Sequence, residues 1–346
     1  MIWSIQALRF VAALMVVYVH AAPTALAVTG SLGLPPGLVA VGFAGVDIFF
    51  VISGFIIAKA ATGRTAAEFL TARLIRILPL YLVFASQQAI FAGLAGRPFG
   101  WREAIATFLF WPATDRMTSP ALDVGWTLAF EMLFYAAAAL VLTQRRGIVP
   151  LTYVAVGAWA VAFTLRPAGP VFQFLGNPLI LEFMAGVVIA QLPRLCRAAS
   201  ALGFGAIVLG ATLLMAAGTC GVIPPMGEVS DFLIGEHNLT RVLVLGLPAA
   251  LIVYGTVQIE MREGLWSYLG DVSYALYLSH YGVLKVLTTI WLWLPSASPS
   301  VAAVIAVGTT ASILFAWRVH ELLEKPMLTA LRCRQQTGAA QARLAG

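Results

Sequence analysis

Arg9 and His20 stand eleven residues apart in the first apolar stretch of this 346-residue chain. On an α-helix eleven steps make three turns plus roughly 20°, so both side chains share one face, about 16 Å apart along the axis. An ionisable group deep in lipid is costly, and its default reading is a functional site. Histidine titrates near neutral pH and is suited to proton abstraction. The pair therefore sets a fixed cation near one membrane face and a candidate general base well inside. A second element is Arg73-Leu74-Ile75-Arg76. Positions i and i+3 share a helix face, so the two guanidiniums can act as a fork for phosphate, which arginine binds bidentately. The bland alternative is a positive anchor at the cytoplasmic membrane surface.

Carboxylates complete the set. Asp47, in the Gly45–Phe55 stretch, falls at the end of the second span where His20 should also lie. It either orients the imidazole or caps its own helix, and both roles can hold together. Gly45 and Gly54 permit close helix approach there. Glu131 sits in an apolar span with Thr127 and Tyr135 one turn to either side, placing three polar groups on one face. It either pairs with an arginine or helps position an acceptor hydroxyl or His20. Glu182 reads as helix–helix glue beside Gly186. His280, three residues after Tyr277, competes with His20 for the base role, against a plain packing role. His237 shares an outer loop with Glu228, Asp231 and Glu236, but the spacing is not that of a metal site, and no metal is expected. Cys196, Cys220 and Cys333 lack redox or metal spacing.

The elements that must hold these groups are membrane helices. Hydrophobic residues make up 60% of the chain and charged residues only 10%, too apolar for a soluble protein of this size. Strand-like alternation is absent, so the expected class is all-α, without a barrel. Ten spans are expected, at 5–28, 42–60, 74–95, 126–143, 149–166, 179–192, 201–219, 239–257, 271–293 and 300–319. The sixth is short and flanked by Pro178 and Pro193, which suggests a broken or tilted helix. Trp101, Phe108, Phe110 and Trp111 suit an interfacial or re-entrant segment at 101–113. With the N-terminus inside, fifteen of the 21 Lys and Arg residues fall on the cytoplasmic side and five outside, with Lys285 inside a span. Both termini are therefore expected in the cytoplasm. The net charge of +6 follows from this bias, which removes the argument for nucleic acid. Arg9, the run to Val19 and Ala25-Leu26-Ala27 loosely imitate a cleavable signal, which would discard His20, but nine further spans insert without one. No internal repeat is visible. Residues 1–327 are expected to form one domain, with Pro326 stopping the last helix and 328–346 forming a short flexible tail.

Together these segments resemble the integral-membrane acyltransferase-3 family. The matches are Arg9 and His20 after Ile5-Gln6-Ala7-Leu8, the Gly45–Phe55 stretch, Arg73 with Arg76, Gly125–Tyr135, Ser273–His280, and Glu324 with Pro326. They run in order along nearly the whole chain, and their wording is most similar to the exopolysaccharide acetyltransferase branch. The resemblance implies a ten-helix domain in the bacterial cytoplasmic membrane. Its implied donor is cytoplasmic acyl-CoA, usually acetyl-CoA, and its acceptor a hydroxyl of a surface glycan or lipid-linked saccharide. His20 would be the essential histidine, with Arg9, Arg73 and Arg76 on the donor side; Glu131 and Asp47 stay further catalytic candidates on the reading of their own positions. No fused esterase-like domain is expected. The competing readings are a transporter whose path Arg9, Asp47 and Glu131 would line, and a subunit of an export complex.

Overall fold

The computed structural model describes residues 2–97, 99–143, 149–193, 200–224, 227–294, 299–333 and 335. Fifteen α-helices are present among them. The first half holds α1 (Trp3–Thr29), α2 (Pro36–Ala40), α3 (Ala44–Ala61), α4 (Ala66–Leu94), α5 (Trp101–Phe108), α6 (Trp126–Thr143) and α7 (Val149–Thr164). The second holds α8 (Pro170–Leu175), α9 (Ile180–Gln191), α10 (Ser200–Thr219), α11 (Val229–Ile234), α12 (Asn238–Arg241), α13 (Leu247–Gln258), α14 (Leu265–Trp293) and α15 (Val301–Val319). The described residues contain no strand beyond a single isolated bridge between Ala113 and Met117.

Every expected span falls on a helix or a helix pair. Among the described residues eight helical stretches are long and apolar enough to cross a membrane. The two exceptions are informative. α7 has only 16 residues. α14 has 29 but is too polar, because it carries Asp271, Ser273, Tyr274, Tyr277, Ser279 and His280. A helix that polar lies against protein, and its middle is buried from Val272 to His280. Large apolar side chains elsewhere face outward, as Phe204, Leu209 and Leu213 do along α10. In a bilayer such residues meet lipid, and the chain is a polytopic helical membrane protein.

α1 is the axis of the bundle, packed on α3, α14 and α15. Close approach is set by glycine, since lipid offers no hydrophobic drive for helices to associate. A Cβ on Gly54 would meet the Phe183 carbonyl at 2.0 Å, and one on Gly186 would meet the Val51 carbonyl at 2.0 Å, so α3 and α9 touch backbone to backbone. Gly45 does the same for α1, where a Cβ would meet the Ala12 carbonyl at 2.4 Å. The sixth span, expected at 179–192, is the unbroken α9; the break lies just ahead of it, between α8 and α9. Asn177, fully buried, satisfies the gap: its amide donates to the Phe232 carbonyl at 2.8 Å, and its oxygen accepts from the Leu179 N–H at 3.1 Å and from Asn238 at 2.8 Å. Broken helix at membrane depth survives only with such internal partners.

Several expectations change. Pro326 does not end the last helix, which runs on as one apolar stretch to Cys333. A π-helical turn, His320–Glu324, ends two residues before Pro326. The wider turn absorbs a proline that lacks the N–H for an α-helical bond. The same device recurs at Val242–Gly246, two residues before Pro248. Of the expected flexible tail, 328–333 are therefore helical. The aromatic segment splits as well: Trp101 and Phe108 are exposed, but Phe110 packs on Tyr81 at 4.9 Å and Trp111 on Phe174 at 5.6 Å. Asp47 lies in the first turn of α3, whose N-cap position is Phe43, so it is no helix cap. Arg241, one of the five basic residues expected outside, is buried at 1% exposure. Arg145, Arg146, Arg194, Arg197, Arg334, Arg343 and Cys196 lie outside the described residues.

Candidate active site

An open cavity lies between α1, α3, α4, α6 and α14. Arg9, Arg73 and Arg76 all line it, so the two arginine motifs, 64 residues apart in sequence, converge on one space. Each arginine is held differently. Arg9 donates to Gln6 at 3.0 Å, and Gln6 in turn donates to Asp271 of α14 at 2.6 Å. Arg76 donates to buried Glu324 at 2.9 Å, whose other oxygen lies 2.7 Å from His320 Nδ1. The π turn beginning at His320 carries Glu324 into this contact. Arg73 differs, because its Nε is buried without a hydrogen-bond partner. An unpaired buried donor is costly, and an incoming anion would satisfy it.

Glu131 lines the same cavity from α6, near Arg9 and Arg73. Its Oε1 accepts from Tyr135 at 2.6 Å and from Ser53 at 3.4 Å. The expected Thr127–Glu131–Tyr135 face is therefore real, but Thr127 bonds elsewhere, to the Tyr277 hydroxyl at 2.9 Å. Tyr274 and Tyr277 close the α14 side of the cavity. Tyr274 donates to the Ile77 carbonyl at 2.8 Å, one residue beyond Arg76, and so fixes α4 against α14.

His20 is not a wall of that cavity. It stands in the next layer, half-buried, with its ring 5.1 Å from that of His280 and 5.6 Å from that of Tyr281. His280 in turn lies 6.2 Å from Tyr277, the last α14 residue of the cavity wall. His20 Nδ1 is 2.8 Å from the Val16 carbonyl and 3.4 Å from His280 Nε2. The carboxylate whose charge acts on His20 is Asp123, just before α6, and not Asp47.

Asp47 spends both oxygens on Arg241, accepting from Nε at 3.0 Å and from Nη2 at 2.9 Å. Pair and surroundings are dry, with Asp47 at 0% and Arg241 at 1% exposure. Glu182 of α9 faces the same pair, its carboxyl set against that of Asp47 and near the Arg241 guanidinium. The guanidinium also stands 5.1 Å from the Phe232 ring. This cluster joins α3, α9 and α12; it does not reach the cavity. Outside the spans, Arg102 and Asp115 form an exposed two-bond pair that ties α5 to the following loop. The Arg102 hydrogen bonds hold the Asp115 carboxyl well below the usual carboxylate range. Among the described residues no three His, Cys, Asp or Glu side chains cluster as metal ligands.

Sequence reading missed Arg241, Asp123, Tyr281 and His320. Arg241 carried a usable signal, since it opens an apolar span and so must find an anion inside the protein. Asp123 had none, lying beside a short apolar run like many surface residues, and Tyr281, inside the ninth expected span next to His280, is an uncharged residue that carries no cost of its own there.

Comparison with known proteins bears on this geometry. A family model described as an acyltransferase domain matches residues 2–318. The exopolysaccharide production protein ExoZ of Rhizobium meliloti (strain 1021) is 32% identical over 323 residues, covering 88% of this chain and 95% of that protein. The acyltransferase MdmB of Streptomyces mycarofaciens is 26% identical over 387 residues, covering 97% of this chain and 94% of that protein. No solved structure gives a significant match. An all-helical membrane bundle built around an arginine-lined cavity, matched almost end to end by this family, is a membrane acyltransferase: the chain belongs to the acyltransferase-3 family.

Proposed function

We propose that the protein moves an acyl group, acetyl in the first instance, from cytoplasmic acyl-CoA to a hydroxyl of an exopolysaccharide or its lipid-linked precursor. The observation that carries this reading is the convergence of Arg9, Arg73 and Arg76 on one cavity, with the buried Arg73 Nε unpartnered. Several phosphates sit on CoA, and a guanidinium fork at the cytoplasmic entry of α4 suits them. The named product of the ExoZ relative supports a glycan acceptor. Both termini lie in the cytoplasm, and the membrane is the bacterial cytoplasmic membrane.

In this reading the pantetheine arm runs from the arginines toward Tyr277, the layer below His20. His20 takes the proton of the acceptor hydroxyl as the oxygen attacks the thioester carbonyl. The C–O bond forms, the C–S bond breaks, and the thiolate leaves with the proton returned by the imidazolium. Glu131 offsets the three arginines and, through Tyr135 and Ser53, holds the cavity wall in register. Asp47 acts at a distance, by locking α3 to Arg241 so that the cavity face of α3 stays in place.

The test uses purified protein in detergent and acetyl-CoA, comparing wild type, His20→Ala and Arg73→Ala/Arg76→Ala. Loss of turnover by His20→Ala with donor binding intact, and weakened donor binding by the double variant, is expected. A wild-type protein that neither binds nor turns over acetyl-CoA overturns the donor assignment.

A further inference from the structure

The geometry points to His280 as a positioning residue that fixes the tautomer and ring plane of His20, a role that rests on His20 being the base. His280 is fully buried, and its Nδ1 lies 3.0 Å from the Leu276 carbonyl one turn back on α14. A carbonyl only accepts, so that nitrogen carries hydrogen. None of its hydrogen-bond partners among the described residues is a carboxylate, and an uncompensated buried cation is too costly to sustain. The ring is therefore neutral, and its Nε2 presents a lone pair. That lone pair faces His20 Nδ1 at 3.4 Å.

Two lone pairs do not face each other, so His20 Nδ1 carries hydrogen. The Val16 carbonyl, 2.8 Å from the same nitrogen, demands the same answer independently. Both acceptors leave His20 Nε2 as the atom with the free lone pair, the one able to take a proton. As the ring becomes an imidazolium, its Nδ1–H stays shared between the two acceptors. The proton goes no further, because the far nitrogen of His280 is already protonated against a carbonyl. Val16 belongs to the same helix as His20, so it cannot tie the ring to anything else. His280 can: it is the acceptor that reaches across the α1–α14 interface. With Tyr281 edge-on at 78° and His280 at 60°, two neighbours on α14 clamp the imidazole. The same helix supplies Tyr274 and Tyr277 to the donor cavity, so one rigid element aligns base and donor.

The experiment compares His280→Phe, which keeps a ring but removes the lone pair, with His280→Gln, whose amide oxygen reaches the place of Nε2. His20→Ala runs in parallel, with thermal unfolding as the check on folding. His280→Phe is expected to lower kcat about 10- to 100-fold with KM for acetyl-CoA unchanged, and His280→Gln to restore a large part of it. If His280→Phe does not fold, His280→Asn replaces it, since its shorter amide reaches Leu276 but not His20 and should show the same fall in kcat. Phe at wild-type kcat, or Phe (or Asn) and Gln equally impaired, overturns the inference. An active His20→Ala would instead remove the base reading itself, and the role of His280 with it.

Discussion

At the scale of single residues, the chemistry divides between groups that face the cavity and groups that are only buried. Arg73 lines it, its Nε buried without a partner, and lysine has no fork geometry to replace the guanidinium. Arg73→Lys is therefore expected to raise KM for acetyl-CoA about tenfold with kcat nearly unchanged, since phosphate contacts bind substrate and transition state alike. Steady-state kinetics on the purified variant decide it; an unchanged KM would remove Arg73 from the donor site. Asp47 and Arg241 are a different case. Removing either partner strands a buried charge and should cost about 3–5 kcal/mol, whereas replacing both by apolar residues of similar size should recover most of it. Thermal unfolding of Asp47→Leu, Arg241→Met and the double variant tests this. Equal loss in all three would mean that the pair contributes more than charge balance. Asp47 was legible in the sequence as an ionisable group that needs a partner. Which partner it takes was not, because Arg241 lies 194 positions away.

Helices here are positioned by absences: missing side chains at crossings and missing N–H groups after π turns. Gly186 is the sharpest instance, since a Cβ there would also meet the Phe55 nitrogen at 2.6 Å. Backbone cannot yield as a side chain tip can, so Gly186→Ala should destabilise by about 1–3 kcal/mol or more. Gly157, whose Cβ would meet nothing within 4 Å, is the control, and Gly157→Ala should be neutral or slightly stabilising. Unfolding midpoints of the two variants measure the contrast; a Gly186→Ala as stable as wild type would refute the contact. Helix existence was readable from apolar run length. The π turns were not, because Pro326 looks like a stop in any sequence, and only the ring of neighbours around His320–Glu324 makes the wider turn worthwhile. Its return is the Glu324–Arg76 bond.

For the whole molecule, orientation is a prediction that the protein's own cysteines can test. Cys220 follows α10 and Cys333 ends the last helix, and both are exposed. With cytoplasmic termini, a membrane-impermeant maleimide on intact cells should label Cys220 and spare Cys333. Cys220→Ser should abolish that labelling, while the reverse pattern would invert the topology. The sequence by itself determined the class of the molecule, because apolar runs of helix length in a bilayer admit only helices. It also determined which residues are too costly to be there without purpose: Arg9, His20, Asp47, Arg73, Arg76, Glu131 and His280. Each is an ionisable group in or beside an apolar run, a local property. Tertiary structure alone decided their partners. Pairing depends on rotation and depth of helices distant in sequence, which no local periodicity encodes. So Asp47 went to Arg241, Glu324 to Arg76, and His20 to His280 rather than to the carboxylate its position first suggested.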